Sequence, residues 1–168
     1  CPNANTIATQ RPIAFALWSV QMSVLQKLGL VGGAHSAMLQ NGDLMLMDFG
    51  AEYGTYAADL SRTIPVNGRF TERQKAVYNA VLRVKKGAET MLRPGNNLMD
   101  YHKAVGDLME AELIGLGLIS KEEVAKQNPK MPAYKKYFMH GTSHHLGLDV
   151  HDLAARYVEL QAGMVFTV

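Results

Sequence analysis

Residues 44–63 constrain the fold more than any other stretch, because they read as two strands folded back about a glycine turn. Leu44-Met45-Leu46-Met47 is apolar without alternation, the pattern of a strand covered on both faces. Tyr53-Gly54 supplies the turn, and Thr55 to Thr63 forms the second strand. Asn41-Gly42 is a turn signal before the hairpin, and Pro65-Val66-Asn67-Gly68 breaks the chain after it. A turn centred on Tyr53-Gly54 puts Asp48 directly opposite Asp59. Directly opposed residues hold their Cβ atoms about 4.5–5.5 Å apart, where two ionised carboxylates repel. Either one of them stays protonated, or a hard cation such as Mg²⁺, Ca²⁺ or Mn²⁺ sits between them. The bland alternative is two strand-end aspartates facing water. A register slip of one residue would also put them on opposite faces.

A second constellation lies between residues 137 and 152, which hold four of the six histidines: His140, His144, His145 and His151. Histidine ligates metals and exchanges protons near neutral pH. His140 and His144 are spaced like the paired histidines of zinc proteases, but that motif needs Glu after the first histidine, and Gly141 stands there. His145 reads as a surface or satisfied core residue, and so does His102, which falls inside a helical pattern. Ser143 precedes His144 but has no Gly-x-Ser-x-Gly elbow, which argues against a serine nucleophile.

The remaining pattern is helical. Thr71-Glu72-Arg73-Gln74 is a capping box. Val77, Val81, Val84, Ala88 and Met91 follow at helical spacing until Arg93-Pro94-Gly95. A second helix is predicted from about Asn97, with Leu98, Tyr101, Val105, Leu108 and Leu113 on one face and Gly115 and Gly117 at its end. Ser120-Lys121-Glu122-Glu123 opens a short third helix, and Met164 to Val168 reads as a last strand. The fold class is α+β, with helices packed on a mostly antiparallel sheet.

Composition excludes several classes. With 168 residues, 48% of them hydrophobic, the chain can build one ordinary core. The net charge of +2 and scattered basic residues leave no footprint for nucleic acid. The most apolar stretch, residues 13–25, is shorter than the roughly 20 residues that span a bilayer. Neither a membrane nor a nucleic-acid partner is expected. The single cysteine, Cys1, fits a reducing compartment, and the expected location is the cytoplasm.

Three blocks then carry a resemblance. "LMLMDFGAEYGTYAADLSRTIPVNGRFTERQ" (44–74), "YFMHGTSHHLGLDVHD" (137–152) and "GMVFTV" (163–168) occur in the order found in aminopeptidase P. The chain resembles that Xaa-Pro aminopeptidase family over residues 39–168, while residues 1–38 form an atypical segment. The resemblance implies the pita-bread fold shared with methionine aminopeptidase, prolidase and creatinase. It implies two divalent cations, commonly Mn²⁺, with Co²⁺ or Zn²⁺ as alternatives. Asp48, Asp59 and His144 match metal ligands, with Asp59 bridging. His140 matches a residue lining the site for the substrate proline, and His151 one that hydrogen-bonds substrate near the scissile amide. The implied reaction is metal-assisted hydrolysis of the bond between a first residue and a proline, by water activated between the cations. The implied partners are a peptide with proline in second position and, since family members often dimerise, a second copy of the chain.

Ser143 before His144 favours aminopeptidase P over prolidase, the runner-up. Two departures from the family pattern remain. The two glutamate ligands expected after "VFTV" lie beyond Val168, so the 168-residue chain by itself is expected to be inactive. His35 is a weak match for a substrate-side histidine and lies about four residues too close to Asp48. The competing reading is a non-catalytic remnant that serves as a binding module.

Overall fold

The structure, a computed structural model, describes residues 39–153, 155 and 157–168. His35 and the apolar stretch 13–25 lie outside the described residues. The described chain divides into two compact units, one of residues 39–71 with Leu146–Val150, the other of Glu72–His145 with His151–Val168.

The first unit is one long antiparallel hairpin. Strand β1 (Leu44–Phe49) pairs with β4 (Leu60–Pro65), and β2 (Glu52–Tyr53) pairs with β3 (Tyr56–Ala57). The turn falls one residue later than the sequence suggests. Gly54 and Thr55 form the two-residue loop, and Tyr53 pairs with Tyr56. Both loop residues have positive φ, 57° and 70°, as a hairpin turn of the primed type demands. Glycine takes that conformation freely, whereas a β-branched threonine does not. Replacing Thr55 with Asn, which tolerates left-handed backbone, should therefore stabilise the chain by about 1 kcal/mol. The check is thermal unfolding, with an expected rise of roughly 2–4 °C.

The shifted turn re-pairs the whole ladder. Asp48 faces Ser61 rather than Asp59. Burial also differs from expectation. Leu44 to Met47 are half-buried throughout, because a two-stranded ladder encloses neither of its faces fully. The expected strand 55–63 is interrupted at Ala58-Asp59, between β3 and β4.

The second unit is helical. α1 spans Glu72–Met91 and α2 spans Leu98–Gly115. Asn97 caps α2, its side chain accepting the Asp100 N–H at 2.9 Å. The helix closes in a Schellman motif: Leu118 N–H reaches Leu113 O and Gly117 N–H reaches Ile114 O, both at 2.9 Å. Gly117 sits at φ 67°, the left-handed position that this ending needs. Ser120 and Glu123 form the expected capping box of α3 (Lys121–Ala125). A 3₁₀ turn follows at Ala133–Lys136.

The core of this unit joins Val84 and Ala88 of α1 to Leu98, Tyr101, Val105, Met109 and Leu113 of α2, with Ile119 and Leu160. Val81, placed on the inner face of α1 by its spacing, is half exposed, and Ala80 is buried instead. In α2 Leu108 packs partly buried against the core, as its spacing predicts, and Met109 joins it there. Arg83 clamps the two helices through a bidentate pair with Glu112, both bonds at 2.7 Å. That hydrogen bonding holds the Glu112 carboxyl below its ordinary value. Residues 164–168 form no strand; Phe166 makes an isolated antiparallel bridge with His145. Among the described residues no helix is long and apolar enough to cross a membrane.

Candidate metal and substrate residues

Asp48 and Asp59 both lie on the hairpin of the first unit. Asp48 accepts a hydrogen bond from Ser61 Oγ at 3.2 Å, across the ladder. Continuing the same register past Phe49↔Leu60 sets Gly50 against Asp59, and the bond from Ala58 N–H to Ala51 O at 2.9 Å keeps it beyond them. The two aspartates are therefore offset by two positions along the hairpin, not a directly opposed pair. The shift is an even step, which by itself keeps the alternation of faces along the paired strands, but Asp59 sits in the break between β3 and β4, outside them. A Cβ at Gly50 would lie 1.8 Å from the carbonyl oxygen of Ala58, so only glycine lets the strands approach beside Asp59.

Residues 146–150 fold with the hairpin: Ala57, two positions before Asp59, donates its N–H to the Gly147 carbonyl at 2.8 Å.

His144 and His151 come together in the second unit, with ring centroids 4.3 Å apart. The His144 ring is fixed by the backbone of the next residue. Its Nδ1 lies 2.8 Å from the His145 carbonyl. A carbonyl only accepts, so Nδ1 carries a proton, and any metal ligation by this ring falls to Nε2. His144 is held further by residue 167: its N–H donates to Thr167 Oγ1 at 3.2 Å, and Thr167 N–H donates to its carbonyl at 3.0 Å. His145 has a different neighbour, its ring packing on Phe166 at 4.2 Å. Successive residues of an extended segment face opposite ways, and the two rings accordingly meet different partners. His140 and His151 are both exposed.

Tyr101 and His102 of α2 hold this segment through contacts that their helical pattern did not announce. Tyr101 OH lies 2.8 Å from Ser143 Oγ, and both are buried. Burial pushes the Tyr101 phenol up, against the opposing effect of the Ser143 bond, so it stays neutral. His102 Nδ1 accepts the Thr142 N–H at 3.4 Å, and Gly141 packs on its ring, where a Cβ would approach Cε1 to 3.2 Å. One signal was legible: Tyr101 lies in the apolar stripe with Leu98 and Val105, and a buried tyrosine hydroxyl usually finds a partner.

Comparison with known proteins places these residues in a family. Residues 23–168 match Peptidase_M24, metallopeptidase family M24. The Xaa-Pro aminopeptidase of Escherichia coli strain K12 is 40% identical over 136 residues, covering 77% of this chain and 30% of that protein. Xaa-Pro aminopeptidase 3 of Rattus norvegicus is 40% identical over 138 residues, covering 80% of this chain and 26% of that protein. Among solved structures, zinc-substituted E. coli aminopeptidase P in complex with product matches with a TM-score of 0.69 at 38% identity, covering 77% of this chain and 30% of that one. The chain thus spans less than a third of the length of these relatives. Its mixture of helices and antiparallel hairpin is part of the pita-bread fold of the aminopeptidase P structures. With the match running through both the hairpin aspartates and the histidine segment, the chain belongs to metallopeptidase family M24.

Proposed function

We propose that the protein carrying this chain is a metal-dependent aminopeptidase that hydrolyses N-terminal Xaa-Pro bonds. The observation that carries the reading is the His144 ring, whose Nδ1 is committed to the His145 carbonyl at 2.8 Å so that Nε2 is the ligating atom. Asp48 and Asp59 on one hairpin supply hard carboxylate donors, and with an imidazole they fit a divalent cation. We assign Asp48, Asp59 and His144 as ligands and Mn²⁺ as the ion. When bound, two such cations polarise the scissile carbonyl and lower the pKa of water.

The protein groups do the rest. Ser61 Oγ orients the Asp48 carboxylate by donating to it, as outer partners of metal ligands do. His151, exposed and against the His144 ring, donates to the oxyanion that develops on the scissile carbonyl. His140 lines the subsite for the proline ring. A peptide with proline in second position is the substrate, the single cysteine favours the cytoplasm, and self-association follows the family habit.

The test is hydrolysis by the full-length protein with Mn²⁺. Release of the first residue from longer Xaa-Pro peptides supports the proposal. Cleavage confined to Xaa-Pro dipeptides would make it a prolidase. No cleavage together with no stoichiometric metal would make it a binding module. In the active protein, His151→Ala should lower kcat about 10²–10³-fold while metal content holds. Loss of metal with unchanged rate per remaining ion would show that His151 is a ligand instead.

A further inference from the structure

We propose that Tyr101 is a positioning residue for His144, acting through its hydrogen bond to the Ser143 hydroxyl. The role rests on the assignment of His144 as a ligand, but the contact itself does not. Tyr101 OH and Ser143 Oγ are 2.8 Å apart, at 2% and 7% exposure. Tyr101 is anchored in the helix core beside Leu98 and Val105, so its hydroxyl is a fixed point. Ser143 is the residue immediately before His144. The latch therefore sets the backbone entering His144 from the α2 side, while Thr167 holds the His144 amide and carbonyl at 3.2 and 3.0 Å. Held at both points, His144 keeps its Nδ1–H on the His145 carbonyl and Nε2 as the acceptor. Either atom of the latch can be the donor. Neither is charged near neutral pH, so the device is geometric.

A latch and a mere core hydrogen bond respond differently to substitution. Tyr101→Phe and Ser143→Ala each leave one buried hydroxyl without its partner, which destabilises. Removing both restores a matched apolar contact and recovers stability, yet the tie to Ser143 stays broken. The experiment follows the ¹⁵N shifts of the His144 imidazole in the full chain, beside the unfolding midpoint, for wild type, both single variants and the double. The expected result is a move from a single Nδ1–H tautomer toward averaged ring nitrogens in all three variants, while the midpoint falls in the singles and recovers in the double. Unchanged His144 shifts in Tyr101→Phe would overturn the proposal. So would shifts that recover along with the midpoint, since that is the behaviour of a packing contact. A Co²⁺ titration of the full-length wild type keeps the two readings apart. If His144 does not respond to the cation, its assignment as a ligand fails, and the tautomer result still decides the latch.

Discussion

His144→Ala in the full-length protein is expected to lower Mn²⁺ affinity more than about 100-fold, and Xaa-Pro hydrolysis with it. The magnitude follows from chemistry. Removing only the outer partner of a ligating histidine typically costs about 10–100-fold, and losing the ligand itself costs more. His145→Ala is the matched control. Its ring packs on Phe166 at 4.2 Å, so it should cost only about 0.5–1.5 kcal/mol of stability and leave metal affinity intact. Calorimetric titration of both variants with Mn²⁺ separates them. If His145→Ala is the variant that loses metal, the histidine assignment is off by one residue. If neither does, His144 is not a ligand.

Gly50→Ala should be among the most damaging single-methyl additions in the described chain. The new Cβ would sit 1.8 Å from the Ala58 carbonyl oxygen, a backbone atom with no rotamer to escape into. Ala58 also donates its N–H to Ala51, so moving it breaks the ladder beside Asp59. A loss above about 4 kcal/mol is expected, in the range reserved for overpacking and broken networks. Gly68→Ala is the control. It has φ 75° but no atom within 4 Å of the added Cβ, so its cost should stay near the roughly 1 kcal/mol of a left-handed alanine. Urea unfolding reads both. Equal losses would mean that the hairpin yields at Ala58 without strain, and the close approach would then have no role in placing Asp59.

The comparison of hairpin and helices shows where sequence reasoning reaches. The capping box at Ser120, the Asn97 start and the Gly117 end of α2 were legible because each is a local hydrogen-bonding pattern with its own residue signature. The two segments proposed to bear ligands stood out too, because aspartates beside an apolar strand and histidines clustered between glycines are unusual on chemical grounds. The turn did not. Gly54 marks a left-handed position, but it does not say whether it is the first or second residue of the loop, and Thr55 gives no sign that it will accept φ 70°. That ambiguity of one residue moved every cross-strand partner by two and replaced an Asp48–Asp59 pair by Asp48–Ser61.

The sequence by itself determined the family and singled out the residues proposed to carry the chemistry, since both reside in residue identity and order along the chain. Tertiary structure alone decided how those residues are aimed. Asp48 faces Ser61 and not Asp59 because the ladder register, set by a loop conformation, moved by an even step. His144 has its tautomer because a neighbouring carbonyl lies 2.8 Å from Nδ1. Tyr101 meets Ser143 across 42 positions of sequence, a contact that no local pattern encodes, because it exists only once α2 has buried its apolar stripe.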